Sequence, residues 1–244
     1  MKKIKELLEI PQYEQRSDMW FKQRENKLTS SDCGTVLNLN PYQKSYEILF
    51  KKCGYDPNPF VGNEATLHGQ KYEDEAIDKY CALTGSINYN FGLISHQDVY
   101  KNKDYYWLAG SPDGICIDKN NDYAEPVLLE VKCPYRRKIK IGEIPHHYYP
   151  QVQLNLFICD LKIADFIEYK PPDLMNIVRV YRDEKWLEKN LNILEKFWKD
   201  VEYYRQNDIS THPNFKKKKE KKILDLREEE KVDTSVSIYM FRED

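Results

Sequence analysis

Along residues 63–84, Leu67, Tyr72, Ala76, Tyr80 and Leu83 recur at helical spacing, and Gly85 follows as a natural stop. A second long helix is predicted over 183–206, where Trp186, Leu187, Leu191, Leu194, Phe197 and Trp198 form one apolar stripe among charges. Between these segments the pattern changes to short runs rich in Val, Ile, Tyr and Trp. These predict strands at 91–99, 104–110, 114–118, 126–133, 161–170 and 176–182. Pro112-Asp113-Gly114 is a turn into the third of them, and Asn120-Asn121-Asp122 joins the third to the fourth as a hairpin. Shorter helices are expected within the charged segment 1–16, at 44–53, and after Pro150, where one carries Gln151, Gln153, Leu154 and Phe157. Residues 20–39 read as a turn and then a helix, because Thr29 to Asp32 offer capping side chains ahead of Val36 and Leu37. Residues 54–62, with Pro57 and Pro59, read as a loop.

Composition bounds this picture without deciding it. The 244 residues allow one domain or two; apolar residues at 41% suffice for an α/β core. Charged residues reach 32%, yet the net charge is −2, so any surface that neutralises phosphates must gather its Lys and Arg on one face. No window approaches 18 apolar residues, and the opening MKKIKELLEI threads charges through its apolar positions. The expectation is a soluble, cytoplasmic protein without membrane span or signal peptide. The six cysteines form no CxxC pair, which argues against a zinc ribbon and for six free thiols. From Phe215 the chain turns to KKKKEKK and mixed charge, a composition typical of a solvated tail, here bounded at 211–244.

Residues 126–133, PVLLEVKC, hold the most informative chemistry. On a strand, Glu130 and Lys132 share one face while Leu129 and Val131 share the other. A carboxylate and an amine on an otherwise apolar strand are costly to bury unless paired or ligated. Alone, the pair reads more readily as a structural ion pair at a sheet edge. If 114–118 and 126–133 form a hairpin, however, Asp113 approaches Glu130, and two converging carboxylates call for a cation. An all-oxygen donor set favours a hard ion such as Mg2+ or Mn2+. Glu73, near the inward stripe of helix 63–84, is either a third acid of that site or a solvated charge. His146-His147 have no third partner at zinc spacing, and His68, Tyr148 and Tyr149 read as packing residues. Arg136, Arg137, Lys138 and Lys140 follow the strand and either form a phosphate-facing surface or are simply solvated.

Trp20-Phe21-Lys22-Gln23-Arg24, Leu28-Thr29-Ser30-Ser31-Asp32, His68-Gly69-Gln70-Lys71-Tyr72-Glu73, Leu108 to Gly114, Leu129-Glu130-Val131-Lys132-Cys133-Pro134 and Gln151-Val152-Gln153 occur in this order. Together they resemble the lambda exonuclease/YqaJ viral recombinase family of PD-(D/E)XK nucleases, over about residues 18–170. The resemblance implies a restriction-endonuclease-like fold with a central mixed β-sheet flanked by helices, in an exonuclease domain over 1–210. It implies 5′-to-3′ digestion of double-stranded DNA to mononucleotides, with two ions, Mg2+ or possibly Mn2+. By position, Asp113, Glu130 and the carbonyl of Val131 are metal ligands, Glu73 completes the second ion's surroundings, and Lys132 activates or orients water. Arg24, Ser31 and Ser111 match positions that grip phosphate, and Gln151 and Gln153 lie in the family's glutamine motif. A homotrimeric ring and a single-strand annealing protein are the partners it implies besides DNA. An endonuclease of repair or restriction type, and a non-catalytic DNA-binding protein on a nuclease scaffold, are the alternatives; the intact Asp113, Glu130 and Lys132 speak against the second.

Overall fold

The computed structural model describes residues 1–215 except 58, 60 and 122; the run of lysines and all of the expected tail after Phe215 lie outside the described residues. In chain order the elements are α1 (Lys2–Leu8), α2 (Asp18–Glu25), β1 (Leu28–Thr29), α3 (Ser30–Val36), α4 (Ser45–Lys52), α5 (Glu64–Thr84), β2 (Ser86–Tyr89) and β3 (Ile94–Ser95). They continue with α6 (His96–Tyr100), β4 (Leu108–Gly110), β5 (Gly114–Asp118), β6 (Val127–Lys132), α7 (Tyr149–Cys159), β7 (Ile163–Lys170), β8 (Leu174–Tyr181) and α8 (Glu184–Gln206). A five-stranded sheet runs in the order β2-β5-β6-β7-β8, parallel only between β6 and β7. The expected central mixed sheet is therefore present, with helices on both faces. A small second sheet, β1-β4-β3, was not anticipated.

The pleat explains the two faces. Leu128 and Phe166 join the larger core with Leu154, Ile158 and the stripe Leu187, Leu194, Trp198 and Val201 of α8. Their strand neighbours Leu129, Val131 and Ile167 point the other way and pack under Ala76, Ile77 and Tyr80 of α5. Helix α7 is apolar nearly all round and is buried from Pro150 to Cys159 apart from Gln151, as such a helix must be. The expected stripe on α5 is partly corrected: Leu67 and Leu83 are exposed, at 66% and 72%. Ala76, Ile77 and Tyr80 form the buried row, and Glu73, three and four residues before the first two, extends it past the sheet edge. Asn63 caps α5 by accepting from the Thr66 N–H (3.0 Å), and Gly85 ends it at φ 68°.

Local corrections are instructive. Residues 96–99 are helical and 104–107 form a turn, where strands were expected; Tyr105 and Trp107 are drawn into the core from irregular backbone. Strand β2 was missed, being a short edge segment that pairs with β5 immediately after the helix stop. Trp20 lies inside a helix rather than a turn, because the Ser17 hydroxyl accepts from its N–H (3.3 Å) and caps α2. Packing also continues beyond the expected boundary at 210, since the Phe215 ring lies 4.8 Å from that of Tyr55. The six cysteines are free thiols. Among the described residues, no helix is long and apolar enough to cross a membrane.

Candidate active site

The site forms where β6 outruns its antiparallel partner. Pairing with β5 ends at Gly114 opposite Leu129, leaving residues 130–132 bonded only to β7. The N–H and C=O of Val131 point to the side that β5 has vacated. Asp113, at the turn into β5, fills that gap: its N–H donates to the Leu129 carbonyl (3.2 Å), and its carboxylate accepts from the Val131 N–H (2.6 Å). One Asp113 oxygen is thus fixed against the peptide that follows Glu130.

Glu130 is fully buried on the opposite face of the strand from Val131. Its Oε1 accepts from the Lys132 ammonium, and its Oε2 accepts from the side-chain amide of Asn155 on α7 (3.1 Å). Lys132 Nζ also donates to the Val131 carbonyl (3.2 Å) and lies 5.4 Å from the centre of the Tyr148 ring. The ammonium therefore sits where a carboxylate and a carbonyl converge, and it marks a point at which this backbone gathers oxygen around positive charge. Glu73 arrives from α5, with both oxygens accepting from Arg16 Nη2 at 3.1 and 3.0 Å.

Electrostatics show the strain in this arrangement. Burial, with Asp113 beside it, pushes the Glu73 carboxyl up to about 7, although Arg16 and Lys132 pull the other way. Burial likewise raises Glu130 to about 7, with Lys132 opposing and Asp113 and Glu73 reinforcing the shift. Asp113 is raised by burial too, against the pull of Lys132, its Val131 hydrogen bond and Arg16. Burial opposes the Lys132 ammonium, but Glu130 and Asp113 outweigh it and hold the proton on. Three carboxylates face two cationic side chains, so the cluster lacks positive charge. Among the described residues, no three His, Cys, Asp or Glu converge tightly enough to form a finished metal cage. The fit to a hard cation rests instead on the donor set: Asp113, Glu130 and the Val131 carbonyl are all oxygens, crowded and short of positive charge.

A second cluster assembles Arg24, Ser31 and Ser111 around Trp20. The Arg24 guanidinium lies 4.2 Å above the Trp20 ring and donates to Ser31 Oγ (2.9 Å) and Thr29 Oγ1 (3.3 Å). Trp20 Nε1 donates to Ser111 Oγ (3.0 Å). The side-chain cations of Arg24 and Lys52 flank the half-buried Asp32, which also accepts from Thr29. This frame holds a planar fork of donors beside two hydroxyls, a suitable geometry for phosphate.

Other expected residues sit differently. Gln153 is fully buried, and its amide is committed to the fold: Nε2 donates to the Tyr181 carbonyl (2.9 Å) and Oε1 accepts from the Asp183 N–H (2.8 Å). Gln151 is half-buried on the first turn of α7. Arg137 is paired with the buried Glu168, whereas Arg136 is exposed and lines a cleft of about 780 Å³ beside Lys132. His68 packs between Tyr72 and Tyr135, with ring centres 4.7 and 5.3 Å away. Asn155 and Trp20 were missed as site-building residues. An amide in the apolar run 154–159 was the available signal, since a buried amide must find a partner.

The profile of the YqaJ-like viral recombinase domain matches residues 19–162. A protein of Acanthamoeba polyphaga mimivirus is 36% identical over 171 residues, covering 66% of this chain and 30% of the relative. A protein of African swine fever virus (strain Badajoz 1971 Vero-adapted) is 29% identical over 168 residues, covering 59% and 46% respectively. The chain thus spans less than half the length of these relatives. Among solved structures, the alkaline exonuclease LHK-Exo from Laribacter hongkongensis superposes with a TM-score of 0.63 at 24% identity, covering 85% of this chain and 100% of that one. A phage-related exonuclease from Haemophilus somnus gives 0.51 at 17%, covering 74% and 94%. At such identities the likeness speaks to fold, which is shared.

Proposed function

The chain belongs to the YqaJ-like viral recombinase domain family, and from that premise we propose that it is a divalent-metal-dependent deoxyribonuclease that digests double-stranded DNA from a 5′ end. The observation that carries the reading is the Asp113 carboxylate fixed against the Val131 peptide, next to buried Glu130 and its Lys132. Asp113, Glu130 and the Val131 carbonyl would hold the cation, with Glu73 contributing to a second. When bound, Mg2+ or Mn2+ would acidify the attacking water and neutralise charge on the leaving oxygen. Asn155 fixes one Glu130 oxygen and so leaves the other directed toward Lys132 and the cation position. Lys132, kept protonated, orients the water and offers positive charge to the phosphate in flight.

The polarity is supported by the spacing of the two clusters. Ser111, in the Arg24 cluster, and Asp113 are two residues apart, a span of at most about 7 Å. A terminal phosphate held by Arg24, Ser31 and Ser111 would leave the next phosphodiester beside Asp113, and cleavage there releases a mononucleotide. A net charge of −2 gives the protomer little general attraction for DNA. Three copies closed into a ring would concentrate the basic groups, and a single-strand annealing protein would receive the exposed strand; both remain proposals from the resemblance.

The test uses linear duplex labelled at either end, with and without a 5′-phosphate, and closed circular DNA, each with Mg2+ and with EDTA. The reading expects Mg2+-dependent loss of linear duplex from its phosphorylated 5′ end, an intact circle, and no cleavage by Lys132→Ala. Equal digestion of the circle would indicate an endonuclease. Uncut DNA in every lane would refute the nuclease and leave the non-catalytic DNA-binding reading standing.

A further inference from the structure

The geometry points to Arg16, which lies outside the motifs that carry the family resemblance, as a further ligand for a substrate phosphate at the junction of the site's two clefts. This rests on the nuclease reading above.

Arg16 has φ 70°, in the left-handed region that a bulky L-residue rarely adopts. Its neighbours hold it there. Gln15 Nε2 donates to the carbonyls of Phe91 (2.9 Å) and Pro112 (3.0 Å), the second of which immediately precedes Asp113. On the other side, the Ser17 hydroxyl donates to Glu14 O (2.7 Å) and caps α2, the helix bearing Trp20 and Arg24. The strained residue is therefore clamped between the Asp113 turn and the Arg24 helix, with its side chain directed at Glu73.

That ion pair does not account for the geometry. The Arg16 side chain is 45% exposed, and an exposed pair contributes less to stability than a left-handed arginine costs. Only Nη2 is engaged, leaving Nη1 and Nε without a protein partner among the described residues. Such outliers persist where the surrounding structure demands a particular side-chain position.

The clefts show what that position is. One, of about 780 Å³, contains Val131, Lys132 and Arg136; another, of about 580 Å³, contains Asp113 and Asn90. Arg16 and Glu73 line both. A strand passing Asp113 toward Lys132 must pass the Arg16 fork, whose free donors suit a phosphate. Glu73 restrains the guanidinium until its own charge is taken by a cation, so Arg16 becomes available as the site is loaded.

Binding is measured with Ca2+, to hold turnover down, on a 5′-phosphorylated duplex across a salt series, and again in EDTA. Arg16→Ala should weaken Ca2+-dependent binding roughly tenfold and flatten the plot of log K against log salt by about 0.9, the signature of one lost phosphate contact. Arg16→Lys should retain the slope. In EDTA, Glu73→Gln should raise affinity by freeing Arg16, and most of that gain should vanish in Arg16→Ala/Glu73→Gln. Unchanged affinity and slope in Arg16→Ala with a lowered melting temperature would make the residue a structural partner and overturn the inference. A gain that survives undiminished in the double variant would also overturn it, as a simple loss of negative charge. If the wild-type protein with Ca2+ binds no duplex, the nuclease reading itself fails.

Discussion

Replacing Asp113 with Asn should stabilise the protein in EDTA at alkaline pH while abolishing its response to divalent ions. Asparagine keeps an acceptor for the Val131 N–H and removes one of three crowded carboxylate charges. Two unit charges about 5 Å apart interact by roughly 3 kcal/mol at an effective dielectric of about 20. Asp113 repels two such neighbours, Glu73 and Glu130, and is attracted by Lys132 and Arg16. Allowing the attractions to cancel much of the repulsion leaves a net relief of about 2 kcal/mol, or roughly 4–8 °C in melting temperature for a chain this size. The sign follows from linkage. Carboxyls raised to about 7 in the folded state lend stability below their unfolded value near 4.5, and lose it as pH rises through 7. The advantage of Asp113→Asn should therefore be small near pH 5 and full near pH 8. Buried, neutral His96, lowered to about 4, runs the other way between pH 4 and 6.5. The readout is accordingly the difference between variant and wild type, followed by calorimetry in EDTA and in Mg2+. A difference independent of pH, or a variant that Mg2+ still stabilises, would refute the reasoning.

Three further outcomes follow from the same contacts. Asn155→Leu removes a hydrogen bond to a buried carboxylate, worth about 1.5–3 kcal/mol; it should lower the melting temperature and raise the Mg2+ concentration needed for half-maximal cleavage. Gly110→Ala would drive a methyl group into the Asn155 side chain and should produce the same metal defect, which a metal titration would show. Trp20→Phe keeps the ring under Arg24 but loses the bond to Ser111; the preference for 5′-phosphorylated over hydroxyl ends should fall, while cleavage of hydroxyl-ended duplex changes little.

Much of the fold was legible because its long elements bury simple patterns. Helices α5 and α8, the β5–β6 hairpin and the paired strands β7 and β8 all lie within a few residues of their expected places. The segments that misled were those where tertiary packing overrides local preference. Val99, Tyr105 and Trp107 look like strand residues, yet they reach the core from a short helix and turns. In the site, Asp113, Glu130 and Lys132 were readable from strand alternation plus one turn. Glu73 was ambiguous, because a helical Glu beside an apolar row gives no sign that the row overshoots a sheet edge. Gln153 shows the converse: a motif residue whose amide serves the β8–α8 junction rather than a ligand. Arg16 and Asn155 were invisible because their importance lies in contacts 57 and 25 residues away in sequence.

The central claim is that Asp113, Glu130 and the Val131 carbonyl jointly gather a hard divalent cation. Crystals soaked in Mn2+ test it directly by anomalous scattering. A peak bounded by those three groups in the wild type, absent in Asp113→Asn, is the predicted result. No peak there, or one coordinated by other residues, would contradict the account.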